Sequence, residues 1–158
     1  MKLNELVVAD AIVPELTSSD RDEVIAELID ALVNSGVADA SIRSELLSLV
    51  LERESKGSTG FGKGVAVPHV KHAGVGKIAA AVGLSSSGVE FNALDKQPVY
   101  SVFLLLSPAD KPEDHLQAME VIFKNLSHET FRKFLRQASD GAAVVSLLED
   151  ADEGRLAG

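Results

Sequence analysis

The chain has 158 residues, 46% of them apolar, and no cysteine, which is enough for one domain with its own core and excludes disulfides, thiolate metal sites and cysteine nucleophiles. Lys and Arg number 15 against 24 Asp and Glu, a formal charge of -9; that field repels a phosphate backbone, so no nucleic acid is expected as a partner, while a basic protein would be attracted. No apolar run reaches the roughly 18 residues of a membrane span, and residues 1–10 lack the basic-then-apolar order of a signal peptide, so the expected compartment is the cytoplasm, without membrane insertion.

Residues 7–16 read as a short mixed segment, closed by Pro14 and the polar cluster Thr17-Ser18-Ser19-Asp20. Ser19 or Asp20 is placed to cap a helix, and Asp20 with Glu23 has the spacing of a capping box. Val24, Leu28 and Leu32 beside Ile25, Ile29 and Val33 give that helix one broad apolar face, and Gly36 ends it. A second helix follows Asp39 through Ile42, Leu46, Leu49 and Val50 to about residue 54. Residues 55–64 then hold four glycines, too many for a helix interior and suited to tight turns. Residues 65–67 predict a short strand with Pro68 at its margin. Ile78, Ala80, Val82 and Leu84 alternate with small residues as a further strand, 89–91 is brief, and 99–106 is almost continuously apolar, as in a central strand buried on both faces. Pro112 suits the first turn of a helix whose stripe is Leu116, Met119, Ile122, Phe123 and Leu126. Ser127 starts another with Phe131, Phe134 and Leu135, and Ser139 or Asp140 begins the last with Val144, Val145, Leu147 and Leu148. The order predicts a single three-layer α/β domain over residues 1–150, with helices on both faces of a small mixed sheet, and a flexible tail at 151–158.

Four histidines are present: His69, His72, His115 and His128. His69 follows the Gly-rich stretch and the short strand, and His115 falls in the first turn of a helix after the long apolar strand; strand ends of this kind are where α/β domains place their sites. An imidazole is largely unprotonated near neutral pH and is a good nucleophile toward phosphorus once its second nitrogen is held by a partner. A second imidazole or a guanidinium can then steady the charge on the transferred oxygens. Arg53 is such a cation just upstream of the loop; Ser58 and Thr59 offer hydroxyls, and the amides around Gly60 to Gly64 offer an anion nest. Each has a plainer reading: a core or loop histidine for His69, a first-turn residue for His115, a solvated surface cation for Arg53, a turn residue for Thr59, a surface residue for His128. His69, His72, His115 and Asp110 have the ligand chemistry for zinc, but there is no HExxH helix and Pro68 opposes one, so no metal is expected. Gly-Phe-Gly-Lys-Gly lacks the serine or threonine of a P-loop, Gly64 standing in that place, and no bound organic cofactor is expected.

The run Arg53-Glu54-Ser55-Lys56-Gly57-Ser58-Thr59-Gly60-Phe61-Gly62-Lys63-Gly64-Val65-Ala66-Val67-Pro68-His69-Val70-Lys71 resembles the active-site signature of the fructose/mannitol-type enzyme IIA domains of the bacterial phosphoenolpyruvate-dependent phosphotransferase system. Pro108-Ala109-Asp110-Lys111-Pro112-Glu113-Asp114-His115-Leu116 resembles that family's second histidine motif, in the same order along the chain. The resemblance implies a compact α/β/α sandwich and a histidine phosphocarrier. His69 would be the phosphorylated residue, loaded by HPr or a nitrogen-type paralogue, with His115 packed beside it, Arg53 as the nearby cation, and Ser58, Thr59 and Gly60 shaping the phosphate pocket. One departure is Val70, where the regulatory branch often has glycine or another small residue. The family divides into regulatory, nitrogen-type IIA proteins, which bind target proteins, and transport components, which pass the group to a IIB domain and so to a sugar. The loop around Ser58-Thr59-Gly60, with no fused IIB, IIC or HPr region in this sequence, points to the regulatory branch ahead of the transport one. A third reading is an interaction module that has lost phosphotransfer.

Overall fold

The computed structural model describes residues 1–156; residues 157–158, the end of the expected tail, lie outside the described residues. The elements are α1 (Leu3–Leu6), β1 (Val7–Val13), α2 (Arg21–Asn34), a short 3-10 turn, α3 (Arg43–Ser55), β2 (Val65–Ala66), β3 (His69–His72), β4 (Ala79–Val89), β5 (Val99–Pro108), α4 (Pro112–Leu126), α5 (Glu129–Gln137) and α6 (Gly141–Asp152).

The five strands form one mixed sheet in the order β1-β4-β5-β2, with β3 also on β5. β1 runs parallel to β4, β4 antiparallel to β5, and β2 and β3 parallel to β5. β5 has pairing partners on both sides, and its side chains alternate between two apolar layers, as its unbroken apolar run predicts. Val102, Leu104 and Leu106 pack with α2 and α3; Phe103 and Leu105 pack with α1, α4, α5 and α6. The architecture is therefore the expected three-layer α/β/α arrangement.

The helix starts follow local chemistry. Asp20 accepts from the Glu23 amide at 3.3 Å, while the Glu23 carboxylate receives the Ser18 hydroxyl at 2.6 Å, so only half of the expected reciprocal box forms on Asp20 itself. Asp140 caps α6 through the Ala143 amide at 2.8 Å. Three local features add to the reading from the sequence. The mixed segment at 7–16 contains β1, an edge strand whose apolar alternation is interrupted by exposed Ala9 and Asp10 where its register against β4 shifts. The stretch after Pro68 is itself a strand, β3. The last helix continues through Asp152, because the Asp152 carboxylate receives the Leu3 and Asn4 amides at 2.7 and 2.8 Å and so caps α1 from the far end of the chain.

Among the described residues no helix is long and apolar enough to cross a membrane.

Candidate active site

β3 organises the site. It pairs with β5 from His69↔Leu105 to His72↔Pro108, and a strand sends alternate side chains to opposite faces. His69 and Lys71 share the face of Leu105, toward α4; Val70 and His72 share the face of Leu106, toward α3. The contacts agree. The His69 ring meets the His115 ring with centroids 5.4 Å apart and planes tilted by 56°. His72 Nε2 instead lies 3.2 Å from Glu45 Oε1 of α3, and His72 Nδ1 accepts the Gly74 amide at 2.8 Å. Val70, the departure from the regulatory pattern, packs against the α2–α3 core and turns away from the paired imidazoles.

Both imidazoles are half-buried. His69 Nδ1 is 2.8 Å from the Val67 carbonyl oxygen. A carbonyl only accepts, so Nδ1 carries the proton and the neutral ring keeps its lone pair on Nε2. His115 stands in the first turn of α4, where Pro112 occupies a position that needs no amide hydrogen. Its Nδ1 is 2.7 Å from Ser107 Oγ, near the end of β5. Burial, then the nearby charges of His69 and Lys71, depress the His115 pKa to about 4, so its ring is neutral at pH 7.

Arg53 lies in the last turn of α3, exposed, with Nη1 donating to the Gly57 carbonyl at 2.7 Å. It braces the start of the Gly-rich loop from the helical layer opposite α4. The permanent cation whose charge bears on His115 is Lys71, which sequence reasoning passed over because it did not anticipate β3.

The loop is held by hydrogen bonds of its own. The Thr59 amide donates to Glu54 Oε1 at 3.1 Å, the Gly60 amide to Ser58 Oγ at 3.0 Å, and the Lys63 amide to Asp95 Oδ2 at 3.2 Å. Two of the amides expected to form an anion nest, those of Gly60 and Lys63, are thus engaged. Thr59 is buried; neither its hydroxyl nor Glu54 Oε2 has a hydrogen-bond partner among the described residues. A Cβ on Gly60 would approach the Ala93 Cβ to 3.0 Å, so the close docking of the loop on residues 92–95 requires a glycine there. Gly64 has φ +76 and faces the Tyr100 ring, which a Cβ would meet at 3.1 Å. Ser58, Thr59 and Gly60 therefore set the shape of the loop that leads into β2 and His69. Beyond His115, α4 exposes Leu116, and further along the same helix the ring of Phe123 meets Phe61 of the loop at 4.9 Å, giving an apolar surface on the helix that carries His115.

His128 is exposed at the start of α5 and makes no side-chain cap. Among the described residues no three His, Asp or Glu side chains converge as a metal-binding group, and the sheet separates His72 from His69 and His115. What the arrangement offers is one imidazole nitrogen with a free lone pair, a second, neutral imidazole facing it, and a lysine nearby.

Residues 5–151 match the family described as "Phosphoenolpyruvate-dependent sugar phosphotransferase system, EIIA 2". The fructose-specific EIIA component of Haloferax volcanii is 35% identical over 133 residues, 84% of this chain and 85% of that one. The nitrogen regulatory protein of Bradyrhizobium diazoefficiens is 33% identical over 150 residues, 94% of this chain and 95% of that one. Against the longer fructose-specific EIIABC component of Bacillus subtilis, identity is 33% over 153 residues, and the chain spans 24% of that relative's length. The crystal structure of nitrogen regulatory protein IIA-Ntr from Neisseria meningitidis superposes with a TM-score of 0.82 at 28% identity, covering 92% of this chain and 98% of that one. Relatives of both the transport and the regulatory kind are thus present, and the chain belongs to the EIIA 2 family of the phosphoenolpyruvate-dependent sugar phosphotransferase system.

Proposed function

We propose that the chain is a cytoplasmic phosphocarrier that takes a phosphoryl group onto His69 from a phosphohistidine of HPr or a nitrogen-type paralogue. The observation that carries this reading is the 2.8 Å contact from His69 Nδ1 to the Val67 carbonyl, which leaves Nε2 as the nucleophilic nitrogen. In the transfer the Nε2 lone pair forms a bond to phosphorus while the donor's N–P bond breaks and its electron pair returns to the donor ring. No metal or bound cofactor takes part in this scheme. Lys71 supplies positive charge toward the transferred oxygens and His115 faces them, while Arg53 and Ser58, Thr59 and Gly60 keep the loop shaped around the incoming group. The apolar surface of Leu116, Phe123 and Phe61 along the helix that carries His115 suits a protein donor, and the charge of -9 suits a basic one.

The regulatory, nitrogen-type role is the first reading of what the phosphoryl group is for, supported by the near full-length likeness to a nitrogen regulatory protein. The second is donation to a IIB domain in sugar transport, favoured by the fructose-specific relatives. Incubation with phosphoenolpyruvate, enzyme I and HPr should add one acid-labile, base-stable phosphoryl group, and His69→Ala should abolish it without unfolding the chain. A folded His69→Ala protein that is still labelled on histidine, or label on Ser58 or Thr59, would overturn the assignment. Transfer from the labelled chain to the cysteine of a fructose-type IIB domain would select the transport role.

A further inference from the structure

Ser107 is completely buried in β5 and lies on the α4 face of the sheet. Among the described residues its hydroxyl has one hydrogen-bond partner, His115 Nδ1 at 2.7 Å. Two arrangements fit that distance. If Nδ1 carried the proton and donated to Oγ, the serine's own hydrogen would be left in a dry interior without an acceptor, which is costly. If Oγ–H donates to the lone pair on Nδ1, the buried hydroxyl hydrogen and Nδ1 satisfy each other, and the single proton of a neutral imidazole is then on Nε2.

We infer that Ser107 is a positioning residue that, by donating to Nδ1, holds the proton of neutral His115 on Nε2 and locks the ring so that this N–H faces the phosphoryl group on His69. The two histidines then have opposite tautomers, each set by a different strand: Val67 gives His69 a lone pair on Nε2, and Ser107 gives His115 a hydrogen on Nε2. The choice of partner has a consequence for charge. A carboxylate at position 107 would favour the imidazolium; a hydroxyl orients the ring without drawing a proton onto it. The phosphoryl group is therefore held at His115 by a neutral donor and not by an ion pair, which suits a carrier that has to release what it accepts. The sequence gives no hint of this, because Ser107 reads as the end of an apolar strand until α4 is laid over it.

The bearing on transfer rests on the phosphocarrier reading, but the tautomer itself is measured on the unphosphorylated chain, so the two can fail separately. Long-range imidazole 1H–15N spectra of the full chain, labelled at histidine, at neutral pH should show His115 Nδ1 unprotonated and Nε2 protonated. Ser107→Ala should move the Nδ1 resonance and slow transfer from HPr about fivefold, the equivalent of one hydrogen bond of ~1 kcal/mol. Ser107→Thr, which keeps the hydroxyl, should return both toward the original values. A protonated Nδ1 in the unaltered chain overturns the inference whatever the variants do. So does a Ser107→Ala protein whose His115 nitrogens and transfer rate are unchanged.

Discussion

Acidifying the solution should leave His115 neutral long after an ordinary histidine has charged. Its pKa is pushed down to about 4, first by burial and then by the charges of His69 and Lys71. At pH 6 a histidine with the ordinary value of about 6.5 is roughly three-quarters protonated, whereas a group at about 4 is about 1% protonated. The sign of the stability effect follows. Between about pH 6.5 and about pH 4 the unfolded chain binds a proton at this position that the folded chain refuses, so stability falls as the pH drops through that window and loses nothing more from this group below it. The whole shift would amount to about 3 kcal/mol; with the ring half exposed, solvent screening reduces the expected loss to about 1 kcal/mol. Following the His115 Cε1 proton by NMR from about pH 8 to about pH 3.5 gives the midpoint directly. Lys71→Met removes the smallest of the three causes, so its midpoint should rise and still stay below that of free histidine. A His115 midpoint near the free value in the unaltered chain would refute the claim that burial keeps this ring neutral.

Three further substitutions probe other parts of the account. Arg53→Ala removes the brace on the Gly57 carbonyl and should slow transfer by less than about tenfold, with stability to urea changed by no more than about 0.5 kcal/mol; a loss of about a hundredfold or more would contradict a role confined to shaping the loop. Gly83→Val drives a side chain into space where even a Cβ would lie 2.7 Å from Leu16 Cδ2 and 2.9 Å from Leu28 Cδ2, so thermal unfolding should show a loss of about 1–3 kcal/mol. Asp152→Ala removes the two contacts that hold the start of α1 and should cost about 1–2 kcal/mol in denaturant unfolding, with the His69–His115 resonances unmoved.

The parts of this fold that were legible in the sequence are those whose signals are local. Asp20 and Asp140 announce helix starts because a cap acts over three residues, Pro112 marks a first turn by its missing amide, and the apolar run of β5 has no other comfortable home than between two layers. The Gly-rich loop and His69 after it were legible for the same reason. What stayed hidden depends on partners far along the chain. His69-Val70-Lys71-His72 has one apolar residue in four and becomes a strand only because β5 offers it an edge, and without that strand the alternation that sends His69 and Lys71 one way and His72 the other could not be read. Ser107 acquires its role from α4, and the length of α6 follows from Asp152 reaching α1. Glu54 is buried at the end of α3 to receive the Thr59 amide, and nothing local in the sequence marks that carboxylate as an interior one. Even the resemblance to a known family, which named His69, His115 and Arg53 together, left open which nitrogen of each ring does what.

That last question is where the account is most exposed. The chain should be phosphorylated with phosphoenolpyruvate, enzyme I and HPr, and 15N-labelled at histidine so that the phosphorus–nitrogen coupling identifies the bonded atom. The expected result is a single phosphoryl group on Nε2 of His69, with Nδ1 still protonated and hydrogen-bonded to Val67. A phosphoryl group on Nδ1 of His69, on His115, or on neither histidine would contradict it.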